Sequence, residues 1–363
     1  MYRRLHGAVA LALLVYGASA AGQAGDPYLR INFVDVGQGD AIWINGPEGD
    51  DGSPGANLII DGGPDRQPKN RLLAYLRAPS YGLQPQSVID CVVATHPHDD
   101  HYPGLIDVLD EYQVRTIIDS GFPKELKTKA GNLSRFGEFR QRALKEQVNK
   151  QPSRFIELRQ TTDRTLPCGN LDADVIHADS ADLGQMGSGN TRQNNASTVV
   201  RLRFGAFRFL FMGDAEGKER DQEATTTRFV ERLLVDRARK DPDLLRADVL
   251  KVGHHGSETG STLEFIRAVQ PEVIVIMSGR KAFMGTYLPD QSVINRYRRE
   301  RPGVTIVRTD RNDQNRNTMT DADGDDVYMY TDGETLIVSQ AIERNGRRVW
   351  RRVATLTREL PIQ

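Results

Sequence analysis

Residues 92–105, VVATHPHDDHYPGL, constrain the fold of this chain more than any other stretch. An apolar run ends at Thr95, three histidines and two aspartates follow within six positions, and the segment then enters the helical pattern GLIDVLDEY. A strand that passes into a helix through a turn of metal-competent side chains calls for α/β layering, with the turn open to a cavity at the strand's C-terminal end. His96 and His98 alternate about Pro97, so in extended backbone their rings point to one side, as two ligands of one ion must. Asp100 and His101 complete a His-x-His-x-Asp-His pattern. Imidazole and carboxylate groups this dense repel their own kind unless a cation or solvent separates them.

The rest of the chain repeats the same alternation. LRINFVDV, DAIWING, NLIIDGG, VIDCVVAT and VRTIIDS read as strands, and NRLLAYLRA, GLIDVLDEY and FGEFRQRALKEQVNK as helices from apolar residues three and four apart. A second β-rich half follows in DADVIHA, STVVRLRFGAFRFLFMGD, ADVLKVG, EVIVIMSG and GVTIVRT, with a tight hairpin at Gly205 and Ala206. No repeat or linker divides these halves, so one layered α/β domain over residues 27–340 is expected, followed by a basic extension over 341–363. The net charge of −1 over 363 residues selects neither nucleic acid nor membrane as a partner.

The first segment has Arg3 and Arg4, an apolar run and the triplet Ala18, Ser19, Ala20. This is the layout of an export leader over residues 1–20, cut after Ala20, with an apolar run shorter than the roughly 18 residues of a membrane span. The remaining chain is expected to be exported, periplasmic or secreted, without stable membrane association. Cys91, in a strand, and Cys168, in the turn LPCGN, read as buried thiols rather than a bridge, although the sequence alone leaves the pair open. Nothing in it speaks to oligomeric state.

The motifs FVDVGQGDAIWI, ATHPHDDHYPGL, NNASTVVRLRFGAFRFLFMGDAE and LKVGHHGS, in this order, resemble the metallo-β-lactamase fold superfamily, and within it the ComEC-like catalytic domain and its standalone secreted relatives. The similarity runs from about Leu29 to about Val338. It implies a four-layer αβ/βα sandwich and two divalent metal ions, zinc or manganese; no multi-helix channel is expected before this domain. It also implies a ligand set: His96, His98 and Asp214 for one ion, and Asp100, His101, Asp214 and His254 for the other, with His255 the alternative to His254. Asp61 matches the aspartate that buttresses the metal loop. Where many members of the superfamily carry a further histidine, this chain reads RQNNAST, so Asn194, Asn195 and Ser197 are the candidates and Asn195 fits best. An amide oxygen is a harder and weaker ligand than imidazole, which favours manganese more than a three-histidine site would.

Two ions about 3.5 to 4 Å apart can activate a water and stabilise both the attacking and the departing oxygen. Asp100 is then both ligand and catalytic orienting group. Around this centre Gln38 and Asp40 are candidates to support the ligands, with Lys251 and Ser257 as candidates to touch a substrate phosphate. His177 reads as a strand-end histidine. Asp321, Asp323 and Asp325 alternate as in a calcium loop, but glycine is missing at the sixth position, so an acidic hairpin turn is expected. The ComEC-like resemblance implies a phosphodiester substrate such as DNA, which basic residues between Lys124 and Arg159 and from Arg344 to Arg358 could track. Hydrolysis of a β-lactam, lactone or thioester, and a non-catalytic metal-holding module, are the competing readings.

Overall fold

The computed structural model describes residues 25–360, apart from positions 50, 80–81, 85–86, 159–163, 179–185, 280, 284, 312–323 and 345–346. The expected leader, and Asp321 and Asp323 of the acidic turn, lie outside the described residues. Among those described, no helix is long and apolar enough to cross a membrane.

The strands assemble into two large mixed sheets. One has nine strands, from the edge strand Arg347–Thr357 through Thr335–Arg344, Val327–Thr331, Leu29–Phe33, Ala41–Asn45, Asn57–Gly62, Val88–Ala94 and Gln113–Asp119 to Arg154–Glu157. The other has seven: Thr305–Arg308, Val273–Ile276, Val249–Lys251, Phe207–Phe211, Val199–Phe204, Asp172–His177 and Arg164–Thr165. Val199–Phe204 and Phe207–Phe211 form the expected hairpin, Phe204 opposite Phe207, with Gly205 at φ +56°.

Side-chain alternation explains the layering. Leu58, Ile60, Cys91 and Val93 point inward to a core shared with Phe209, Val249 and Val275 of the other sheet. Their neighbours Ile59 and Val92 point outward, against Leu105, Ile106, Phe136 and Phe139 on the helices Pro103–Glu111 and Arg135–Lys145. Sheets covered on both faces require runs that are apolar at every position, as CVVA is. On the far side, Leu210, Leu250 and Ile274 pack against Val230, Leu234, Phe265, Ile266 and Tyr297 of the helices Phe229–Ala238, Leu263–Val269 and Gln291–Glu300. The order is helix, sheet, sheet, helix, the αβ/βα sandwich expected.

Two expectations are corrected. Residues read as a basic extension form the edge strand Arg347–Thr357, which pairs with Thr335–Arg344 with Ala341 opposite Trp350, so the first sheet is closed by the end of the chain. Cys91 and Cys168 are not free thiols: they form a disulfide that ties a central strand of the first sheet to the loop between Arg164–Thr165 and Asp172–His177 of the second, with Cα atoms 5.3 Å apart.

Candidate metal centre

The chemically active side chains sit at or just beyond the C-terminal ends of strands, at the rim where the two sheets meet. Asp61 ends Asn57–Gly62, the turn 95–101 follows Val88–Ala94, Asp214 follows Phe207–Phe211, and His254 and His255 follow Val249–Lys251. Two parallel stretches of sheet thus aim their loops at one another. Gly39 fits the 37–40 loop against the histidine turn: at φ +143°, a side-chain carbon there would lie 2.1 Å from the Asp100 carbonyl oxygen.

Asp61 adopts the left-handed conformation at φ +57°. Its carboxylate accepts from the Thr95 backbone N–H (2.8 Å) and Thr95 Oγ1 (2.6 Å), and faces His101 Nδ1 at 2.8 Å. His255 Nδ1 donates to the Met277 carbonyl at 2.8 Å. With the Nδ1 hydrogens so engaged, the Nε2 atoms of His101 and His255 face each other at 3.3 Å, each 3.3 Å from Asp214 Oδ2. Beside them His96 Nε2 lies 3.1 Å from His98 Nδ1 and 3.7 Å from the same Asp214 oxygen. Two nitrogen pairs therefore share one carboxylate oxygen. Asp100 stands on the solvent side, 3.5 Å from His255 Nε2 and 3.8 Å from His101 Nε2.

The electrostatics call for positive charge at this centre. Burial disfavours the cationic form, yet Asp214, Asp61 and Asp100 hold the His101 imidazole well above its ordinary range, and Asp214 with Asp100 and Asp40 does the same for His255. Burial likewise opposes ionisation of Asp214, but His255 and His101 hold it well below the carboxylate range. His96 is pushed well down by burial and by the neighbouring His101, so its nitrogen carries a lone pair. The His98 Nε2 and Asp214 Oδ1 atoms are buried without a hydrogen-bond partner among the described residues. Borderline-soft nitrogens and hard carboxylate oxygens facing inward, in a site that draws cations, fit divalent metal.

The structure brings together His96, His98, Asp100, His101, Asp214 and His255 and leaves out His254. Consecutive left-handed residues, His254 at φ +45° and His255 at φ +52°, send the two rings apart. His254 Nδ1 sits 2.9 Å from both Glu216 Oε1 and Thr259 Oγ1 instead. Asp40 lies behind the rings, 3.4 Å from His255 Nδ1 and 3.8 Å from His101 Nδ1.

Several supporting assignments also change. Asn195 is not placed as a ligand: its side chain accepts from Glu216 N (2.9 Å) and donates to the Met186 carbonyl (3.0 Å). Ser197 Oγ accepts from Asp214 N at 2.9 Å and lies 3.3 Å from His96 Nδ1, bracing both. Lys251 is fully buried, paired with Asp40 and donating to the Gly213 carbonyl at 2.9 Å, so it meets neither solvent nor substrate. Ser257 is buried within its own loop, accepting from Thr259 Oγ1 at 3.0 Å. Gln38 accepts from Gly279 N at 3.2 Å, linking its loop to the second sheet. Of the basic residues expected to track a backbone, Arg140 pairs with Asp119 at 3.2 Å and Arg142 with Asp110 at 2.6 Å, while Arg348 and Arg358 pair with Asp326 and Glu272; Arg159 lies outside the described residues. Thr95 and Glu216 carry no sequence-based role, although Thr95 directly precedes the histidine turn and Glu216 lies two positions from Asp214; Lys124 reads only as the start of a basic stretch.

His177 is a strand-end histidine, as expected, donating from Nε2 to the Asn195 carbonyl at 2.9 Å. Burial pushes its pKa down from 6.5 to about 4. The unfolded chain therefore binds a proton that the folded chain refuses, and stability falls as pH drops from 6.5 towards 4, by about 3 kcal/mol from this group. In His177→Gln the loss of stability across that interval, followed by urea unfolding, is expected to shrink by this amount.

The ComE operon protein 3 of Bacillus subtilis (strain 168) is 26% identical over 293 residues, 78% of this chain and 32% of that protein. Recombination protein 2 of Haemophilus influenzae is 33% identical over 115 residues, 31% of this chain and 12% of its own length. Competence protein ComA of Neisseria gonorrhoeae is 32% identical over 122 residues, 33% of this chain and 15% of its length. The chain thus spans about a third or less of each of these relatives. The description "Metallo-beta-lactamase superfamily" matches residues 34–279, which contain both sheets' inward-facing loops and every residue of the histidine and aspartate cluster. By that match, over more than half its length, the chain belongs to the metallo-beta-lactamase superfamily, a hydrolase family.

Proposed function

We propose that this protein is an exported two-metal phosphodiesterase that acts on DNA. The observation that carries the reading is Asp214 Oδ2, shared by the His96–His98 pair and the His101–His255 pair, with Asp100 on the open side. His96, His98 and Asp214 would hold one ion, and Asp100, His101, Asp214 and His255 the other. Bound there, two zinc or manganese ions supply a water nucleophile at neutral pH and offset charge on the phosphoryl oxygens. Asp61 and Met277 fix the His101 and His255 tautomers, Ser197 braces His96 and Asp214, and Asp100 orients the attacking water. The names of the relatives, which speak of competence and recombination, support DNA over a β-lactam. The Cys91–Cys168 disulfide supports export, because such bonds persist in oxidising compartments.

After mild dialysis from zinc or manganese, the protein is expected to retain more than one ion per chain. His255→Ala should lower that number and His254→Ala should not. Offered single-stranded DNA, a phosphodiester reporter and a chromogenic cephalosporin, the loaded protein should cleave the first two. Retention of no metal, or hydrolysis of the cephalosporin alone, would refute the assignment.

A further inference from the structure

Both halves of the molecule build the rim beside the histidine turn. Lys124, in the loop after Gln113–Asp119, donates to the carbonyl of Pro97, between His96 and His98, and stands beside Asp99 and Asp100. Two positions earlier Phe122 is half-buried, and across the seam the Arg192 guanidinium carbon lies 5.7 Å from its ring centroid. Arg192 rides on the short helix Gly189–Asn194. The last residue of that helix, Asn194, turns to residues behind the centre, its Nδ2 2.8 Å from Glu216 Oε1 and 3.4 Å from His254 Nε2.

On this wall Arg192 Nε has no hydrogen-bond partner among the described residues. Buried polar groups of this kind are nearly always satisfied. A nucleotide offers phosphate oxygens for the guanidinium, together with a planar face for an aromatic ring. A contact serving only to tie the two halves together does not call for an orphaned guanidinium nitrogen.

We propose that Phe122, Arg192 and Lys124 form a subsite for the nucleotide flanking the scissile phosphodiester. Phe122 stacks on the base, and Arg192 and Lys124 neutralise the adjoining phosphates. The assignment rests on the phosphodiesterase reading and narrows it to strands whose bases are unpaired, because a base inside a duplex cannot present its face to Phe122.

The test uses the whole metal-loaded protein with two probes of equal length, an oligothymidylate and an oligomer of the same backbone made of abasic residues. Binding is read by fluorescence anisotropy and cleavage by kcat/KM. The wild type should favour the thymidylate by about 5- to 150-fold, the range of one base–aromatic stack. Phe122→Leu, which keeps apolar volume, should bring that ratio close to one, and Phe122→Tyr should preserve it. An unchanged ratio in Phe122→Leu, with cleavage intact, removes the subsite and leaves the phosphodiesterase reading standing. If the wild type neither binds nor cleaves either probe, that reading falls and the subsite with it.

Discussion

On the proposed function, Asp100→Asn is expected to slow phosphodiester cleavage by about a hundredfold or more while the protein stays folded. The side chain of Asp100 is 15% exposed, against 3% for Asp214 and 1% for His255, so it stands between the cluster and solvent. Burial opposes its ionisation, but His101 and His255 hold it far below the carboxylate range. The amide keeps the shape and removes the charge, which takes away the group that orients the nucleophile and loosens the ion beside His255. An ion held by His96, His98 and Asp214 would not depend on Asp100 and should remain. Rates of wild type and variant on one reporter, metal content, and circular dichroism check the result together. A folded variant with near-normal turnover would show that the histidine turn does not run this reaction.

Replacing Cys91 and Cys168 together by alanine lowers stability by roughly 4 kcal/mol. The two residues are 77 positions apart and both are fully buried, so the bond removes a large loop's worth of freedom from the unfolded chain. Urea unfolding of the double variant against the oxidised protein measures the loss. A midpoint unchanged by the substitution would mean that the central core alone joins the two sheets.

The strands around the centre were legible because burial on both faces leaves no polar position, as in NLII and CVVA, and because the reactive residues fall immediately after such runs. The helices Phe229–Ala238, Leu263–Val269 and Gln291–Glu300 were not, since arginines and glutamates interrupt their apolar stripes. The edge strand Arg347–Thr357 was hidden for a related reason: one face of an edge strand carries charge freely, and its arginines read as a solvated tail. The choice between His254 and His255 turned on two successive left-handed residues, a conformation that histidine does not announce. Lys251 and Asp40 are separated by two hundred and eleven positions, and only the packed sheets reveal that each neutralises the other. The cysteine pair has no local signature at all.

The placement of the ligands gives the disulfide a second meaning. His96, His98, Asp100 and His101 come from one sheet, Asp214 and His255 from the other, so closing the metal centre is in effect an intramolecular association of two half-sites. Its strength depends on the effective concentration of one half-site around the other, which any tether between the halves raises without touching the ligands. Cys91 and Cys168 supply that tether from beneath. If these residues hold metal, the oxidation state of the surroundings would be coupled to occupancy: with the bond reduced, the half-sites would find each other less often, and ions bound there would be held less tightly.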